Sequence, residues 1–422
     1  MSMKVLLVNV KNPYVDSNNP PLGLCYIASW LREKSDADIK IADMTVEKID
    51  DEQFIQKYIN AFQPEIIGIS ALTPTFNYAV ELARLIKKHV NTPIVIGGAH
   101  VSSLPEETLE MGCFDTVVTG EGEISFAELC QKVKEGTALP KIVHGEPVNL
   151  LDHLPFPARD LVDLKRYGFE VNGEFGTSII TSRSCPFNCI FCNKSVFKSN
   201  FRQHSAEHIY SEIVHLMKDF GCRSFNFLDD TFTFRPAIAQ QLCNKIIDNN
   251  LQITWKCMTR VDCIDKPMLE LLKKAGCVEI VIGVETGDAE IMKKIRKGIT
   301  LEQVQIVMGY AKELSLATKT FFMIGFPWDT DETICKTINF AIDLSPDNAQ
   351  FALIAPFPGT KLCGILKEMG IEVSRKWGDY LLKGDEVNYA YSLPGLSKNK
   401  LKEYVRLAYK CFEKKQHISQ LQ

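Results

Sequence analysis

Twice along the chain, short apolar runs rich in β-branched residues alternate with amphipathic stretches, and this alternation leaves few folds open. Strand, helix and strand in succession call for a parallel sheet, because each helix carries the chain back across the face it covers. In the first series strands are expected at Lys4–Val8, Ile39–Ala42, Glu65–Ser70, Pro93–Gly97 and Thr116–Thr119. Helices are expected at Leu22–Lys34, Glu52–Phe62, Phe76–Lys88, Pro105–Met111 and Ser125–Glu135. Five such units suit an α/β domain over residues 1–140, flavodoxin-like or Rossmann-type, with its ligand outside the carboxyl ends of the strands.

From 141 to 176 the periodicity fades and Pro and Asp interrupt it (PVNLLDHLPFPARDLVDL), which reads as a linker. A second series follows, with strands expected near Ser178–Thr181, Ser224–Leu228, Thr254–Cys257, Val278–Val284, Lys319–Ile324 and Ala349–Ile354. Six repeats over 177–369 suggest a partial (β/α)6 barrel with its chemistry at the C-terminal rim. A short helical region, 370–422, completes the chain, with a basic amphipathic helix at Lys398–Lys415 expected to pack on the barrel.

Charge narrows the choice of partners. Lys+Arg minus Asp+Glu is 48 − 52 = −4, without long runs of either sign, so no global field favours nucleic acid or an anionic membrane. No apolar run is long enough to span a bilayer, and the first residues lack a full signal-peptide core, so a cytoplasmic protein is expected. Fourteen cysteines in such a chain point to metal ligation or a reducing cell rather than to a disulfide framework.

Three of them stand together. In SRSCPFNCIFCNK, directly after the first barrel strand, Cys185, Cys189 and Cys192 are spaced C-x3-C-x2-C. Soft thiolates select zinc or an iron–sulfur cluster, and three ligands on one loop leave one iron of a [4Fe–4S] cube open. Cys189-x2-Cys192, eleven residues and then His204-x3-His208 approximate a zinc finger of a nucleic-acid-binding protein. That match ignores Cys185 and falls inside a βα series with no room for a finger. His204 and His208 read as exposed residues at the start of a helix, and the spacing favours the cluster.

The cysteine loop after the first strand of a (β/α)6 barrel resembles the radical S-adenosylmethionine (SAM) superfamily, and the similarity runs to about Thr360. The resemblance implies that the open iron chelates SAM, whose reductive cleavage yields a 5′-deoxyadenosyl radical. It also implies an electron donor such as flavodoxin or ferredoxin, and a small-molecule or peptide substrate. Phe191 matches the residue that packs near adenine. Asp229 and Asp230 (FLDDTF) stand where the family often has Gly-Gly-Glu to bind the SAM amine, and either carboxylate suits a cationic partner. Arg260 (CMTRVD) would complement the SAM carboxylate, Glu285 (GVETG) the ribose, and Gly325 (MIGFP) would admit adenine to the backbone.

The first domain resembles the cobalamin-binding domain that precedes the barrel in one radical SAM subclass, through PPLGLCYIASWL, IGISALT, IGGAHVS and GEGE. Pro21, Gly23, Ser70, Thr73, Gly97, Gly98, His100, Gly120, Glu121 and Gly122 are the implied cofactor contacts. Many such domains carry Asp-x-His-x-x-Gly, whose His ligates the cobalt. Here Gly98 stands two residues before His100, so His100 is expected to be structural or to touch the nucleotide tail, and cobalamin to be base-off with no histidine ligand. The subclass implies a methyltransferase that uses methylcobalamin and the adenosyl radical on an inert carbon or similar centre. A cyclisation or rearrangement with the same cofactors and no methyl transfer fits the same residues.

Overall fold

β1 (Met3–Asn9) buries Val5, Leu6, Leu7 and Val8 in succession, as a parallel strand covered on both faces must. It pairs with β2 (Ala37–Asp43) on one side and β3 (Ile66–Ser70) on the other, and β4 (Ile94–Gly97), β5 (Thr116–Thr119) and β6 (Ile142–His144) extend the sheet in the order β2-β1-β3-β4-β5-β6, all parallel. Strand order reverses between β1 and β3, where Asn9 and Ser70 are register partners, which opens a crevice at their carboxyl ends. This computed structural model describes residues 2–12, 18–380 and 391–420.

The helices follow the apolar pattern. Helix Leu22–Lys34 presents Leu24, Cys25, Ala28 and Leu31 to a core shared with Phe126, Leu129 and Cys130 of helix Glu123–Lys134. The expected helix Glu52–Phe62 is instead an α-turn at Asp51–Phe54, begun by an Asp50–Gln53 capping box, that runs on as a π-helix over Ile55–Asn60. A five-residue helix, Ala99–Ser103, follows β4 and was not legible in the pattern.

The 141–176 stretch has structure of its own. Ile142–His144 is β6, and residues up to 169 group with the first sheet. Ala158 N donates to Cys25 O at 3.1 Å and the Tyr167 hydroxyl to Asp43 Oδ2 at 2.8 Å. Isolated bonds and 3-10 turns hold this segment, so no hydrophobic period marks it.

The second unit is a seven-stranded sheet. A hairpin of β7 (Glu170–Val171) and β8 (Glu174–Ile179) begins it; two short strands outside this sheet, β9 (Ser182–Arg183) and β10 (Arg202–Gln203), follow in the chain. Then come β11 (Ser224–Phe227), β12 (Thr254–Thr259), β13 (Cys277–Glu285), β14 (Ala317–Ile324) and β15 (Asn348–Leu353). The order is β15-β14-β13-β12-β11-β8-β7, parallel from β8 to β15, with no pairing of β15 back to β8 among the described residues: a partial barrel of six strands. The first barrel strand ends at Ile179 rather than Thr181, because Thr181 N is taken by the Asp229 side chain at 3.1 Å.

Helix Lys398–Gln420 packs on this sheet, burying Leu401, Val405, Ala408 and Phe412, with the Tyr409 hydroxyl 3.1 Å from both Phe351 N and O. The rest of the expected C-terminal helical region includes residues 381–390, which lie outside the described ones. Among the described residues no helix is long and apolar enough to cross a membrane.

By contacts the first unit comprises residues 1–169, 193–202 and 376–378, and the second 170–192, 203–375 and 379–422.

Candidate active site and cofactor cradle

In the second unit, the chain leaves β8 and reaches Cys185 through a segment tied down by one buried carboxylate. Asp229 Oδ1, just past β11, accepts from Thr181 N at 3.1 Å, Thr181 Oγ1 at 3.0 Å and Ser182 Oγ at 2.5 Å. Burial pushes the Asp229 carboxyl up to about 6 despite these donors. Its Oδ2 has no hydrogen-bond partner among the described residues. Asp230, next along, is exposed, and Thr231 brings its hydroxyl to 4.0 Å from Cys185 Sγ.

The loop itself is docked by its backbone: Ile190 N donates to Ile295 O at 3.1 Å and Ile190 O accepts from Leu362 N at 2.9 Å. Cys189 is buried and Cys192 exposed. A hydrogen bond from Cys192 lowers the Cys189 thiol to about 6, with Lys297 and Arg260 adding to the effect against desolvation. Two thiols that share a proton beside two cations are chemically suited to bind a metal cluster as thiolates.

Arg260, after β12, lies against that thiol. Its Nη1 is 3.9 Å from Cys189 Sγ, Nε and Nη2 hold Asp262 at 2.9 and 2.8 Å, Nη2 donates to Lys297 O at 2.6 Å, and the guanidinium covers the Phe187 ring at 3.6 Å. Asp262 is therefore the carboxylate it already pairs with. Glu285, at the end of β13 with φ +74°, accepts from the buried Lys297 Nζ at 2.7 Å. Gly325, after β14, has φ +97°, and its N–H and that of Phe326 both reach Asp329 Oδ2 at 2.8 Å. Phe191 faces Phe326 with ring centroids 6.0 Å apart, so the two positions expected near adenine meet through Phe326.

The expected site residues thus gather at the strand ends of one rim. Lys297, Thr231, Phe326 and Asp329 complete the rim, and nothing in the periodicity flagged them. Both histidines of the zinc reading stand at the start of a helix, as expected, but His204 is buried rather than exposed: its backbone N–H donates to Thr181 O at 2.9 Å, and its ring stacks at 4.1 Å on that of His208, in the first turn of the helix that Ser205 caps.

In the first unit, Gly98 has φ +112°, and a Cβ there would overlap the Ala71 carbonyl oxygen, so backbone meets backbone where the β3 and β4 loops cross. Ser70 ends β3, half-buried; Leu72 is 54% exposed, and Thr73 lies buried at 3.3 Å from His100 Nδ1. His100 is sandwiched by Phe76 (4.1 Å) and the edge of Trp377 (4.8 Å), and its buried Nε2 has no partner among the described residues. Desolvation lowers it to about 4, so it is neutral near pH 7. Gly120, at φ +77°, also occupies the left-handed region, and its N–H donates to Ser102 Oγ at 2.9 Å.

Other expected contacts are spread more widely. Glu121 is buried in an ion pair with Arg202, 3.1 Å between Oε2 and Nη1, and Arg202 also donates to Val148 O at 2.6 Å. Gly97 ends β4, Gly122 is the N-cap of helix Glu123–Lys134, Pro21 that of helix Leu22–Lys34, and Gly23 is exposed within the latter. A glycine-lined loop crossing and an uncharged, unpartnered imidazole nitrogen suit a bulky neutral ligand at the carboxyl edge.

Comparison with known proteins decides between the metal readings. The B12-binding domain profile matches residues 10–130 and the radical SAM superfamily profile residues 179–341. An uncharacterized methyltransferase of Pyrococcus horikoshii is 35% identical over 401 residues, covering 90% of this chain and 86% of the relative. The chain is a cobalamin-binding radical SAM protein. As a member of this family it is an enzyme whose cofactors are cobalamin, SAM and a [4Fe–4S] cluster. The anaerobic magnesium-protoporphyrin IX monomethyl ester cyclase of Rubrivivax gelatinosus is 27% identical, over 85% of this chain and 68% of the cyclase. The fold of this radical SAM protein is shared with the radical SAM methyltransferase TsrM from Kitasatospora setae, solved with cobalamin and [4Fe–4S] cluster bound, at TM-score 0.77 and 18% identity, covering 98% and 89% of the two chains.

Proposed function

We propose that this enzyme is a methyltransferase acting on an inert carbon or similar centre of a small-molecule or peptide substrate. The observation that carries the reading is that one chain joins the cysteine loop to a glycine-crossed cofactor cradle and matches, along both, a relative named as a methyltransferase. When bound, the three cofactors supply reductive cleavage of SAM and a methyl group carried by cobalamin. The chain does the rest. Cys185, Cys189 and Cys192 hold the cluster, Asp229 fixes the strand end that leads to them, and the exposed Asp230 receives the SAM amine.

Phe191 with Gly325 and Phe326 encloses the adenine, and Glu285 meets the ribose through the oxygen not facing Lys297. In the first unit Gly98 lets the β3 and β4 loops approach, Ser70 and Thr73 hydrogen-bond the cofactor or its tail, and His100 packs between aromatic rings. Held there, His100 would leave bound cobalamin base-off without a protein histidine ligand, an arrangement that would favour the low-valent metal. Electrons come from a small carrier such as flavodoxin or ferredoxin.

A second reading, cyclisation or rearrangement without methyl transfer, draws on the similarity to the Rubrivivax cyclase. Anaerobically reconstituted enzyme, methyl-deuterated SAM and candidate substrates separate the two. Methylation gives a product heavier by one labelled methyl together with S-adenosylhomocysteine; 5′-deoxyadenosine with an unlabelled product overturns the methyltransferase reading.

A further inference from the structure

The segment Ile295–Lys297, between helices Ala289–Lys294 and Leu301–Glu313, meets the cysteine loop once directly and once through Arg260, and it carries a buried ion pair to Glu285. Ile295 O takes the N–H of Ile190, between the second and third cysteines; Lys297 O takes Arg260 Nη2, whose Nη1 faces Cys189 Sγ; and Lys297 Nζ is buried 2.7 Å from Glu285. Arg296, at φ +54°, makes the reversal that turns both neighbouring groups inward.

Space for the ammonium is built into β13. A Cβ on Gly283 would lie 2.9 Å from Lys297 Nζ and would overlap Glu285 Oε1, so this backbone is bare where the ion pair rests on it. A buried lysine is costly to desolvate, and one paired carboxylate offsets the cost without explaining why the pair is inside at all. The pair lies beside the cysteine loop: the Arg260 guanidinium joins Lys297 O, 2.6 Å from Nη2, to Cys189 Sγ, 3.9 Å from Nη1.

We propose that Lys297 is a positioning residue that raises the reduction potential of the [4Fe–4S] cluster, its ammonium compensating the electron the cluster receives. This rests on the cluster assignment made above. Reduction adds one negative charge at a low-dielectric site, and a fixed cation nearby favours the product of that step. The electron comes from the external donor, the cluster is reduced by one, and no bond is made or broken at Lys297.

The test is an EPR-monitored redox titration of the full-length, iron- and sulfide-reconstituted protein without SAM. In Lys297→Met the ratio of reduced to oxidised cluster at a fixed potential should fall at least tenfold, about 59 mV for a one-electron couple. Lys297→Arg should stay near wild type, Gly283→Ala should move in the direction of Lys297→Met, and Glu285→Gln, which removes the opposing anion, should move the other way. A Lys297→Met protein with full cluster and an unchanged or raised potential overturns the proposal. If Lys297→Met holds no iron, Gly283→Ala decides, and an unchanged potential there overturns it equally. A wild-type protein that takes up no cluster would instead sink the assignment beneath it.

Discussion

The Ser182 hydroxyl sits 2.5 Å from Asp229 Oδ1, so a carboxylate past the second barrel strand grips the chain three residues before the first cluster cysteine. Burial holds the Asp229 carboxyl at about 6, above its value in the unfolded chain. Between those values the folded protein keeps a proton that the unfolded chain has lost, so stability from this group is present at low pH and falls as pH rises towards 6. The unfolding free energy of wild type minus that of Asp229→Asn should therefore drop by about 3 kcal/mol between roughly pH 4 and 6.5 and be flat above. Denaturant unfolding of both proteins across that range measures it; a difference that rises with pH would refute it.

Single replacement of Cys185, Cys189 or Cys192 by Ala should abolish the visible absorption of the [4Fe–4S] cluster and 5′-deoxyadenosine formation. Cys25 and Cys130 serve as controls, because burial drives both thiols up to about 12 and out of ligand chemistry. Their Ala variants should lose only about 1 kcal/mol of stability and keep a full complement of iron. Iron and sulfide analysis after anaerobic reconstitution distinguishes these outcomes.

Gly98→Ala should cost about 1–3 kcal/mol from its backbone angles alone and more from the collision with Ala71 O. Gly97→Ala meets nothing closer than Val118 O at 3.5 Å and should be mild. Bound cobalamin, read by absorbance after gel filtration, should fall in the first variant and hold in the second.

His100 is lowered to about 4 by desolvation, so the unfolded chain takes up a proton that the folded one refuses as pH drops below about 6.5. Its contribution to stability should be complete above that pH and shrink by about 3 kcal/mol on acidification to 4, a slope absent from His100→Phe. The Co(II) form should show no nitrogen superhyperfine splitting from this ring in electron paramagnetic resonance. Splitting present in wild type and missing in His100→Phe would identify a cobalt ligand and overturn the reading that no histidine ligates the cobalt.

Where local pattern and tertiary role agree, the sequence was legible. Leu22–Lys34 and Thr116–Thr119 have the expected bounds, and all six parallel barrel strands occur near their expected places. Ile142–His144 escaped notice because three residues between Pro140 and Gly145 carry no period, and only pairing with Thr116–Thr119 makes them a strand. Glu121 looked like part of a glycine-rich ligand loop, whereas its partner Arg202 stands 81 residues away, a distance no local pattern spans. Lys297, in KKIRKGIT, has the look of a solvated charge; only the reversal at Arg296 and the bare Gly283 turn it inside.

Trp377 covers one side of the His100 ring, yet residues 376–378 are made long after the rest of the first unit, which otherwise ends at 169 apart from 193–202. At about 5–20 residues per second, the ribosome needs roughly 10–40 s to travel from 169 to 378. Throughout that interval the imidazole has Phe76 against it and no indole on its other side. The nascent first unit is thus born with an open flank, and its completion is timed by translation of the barrel rather than by its own folding.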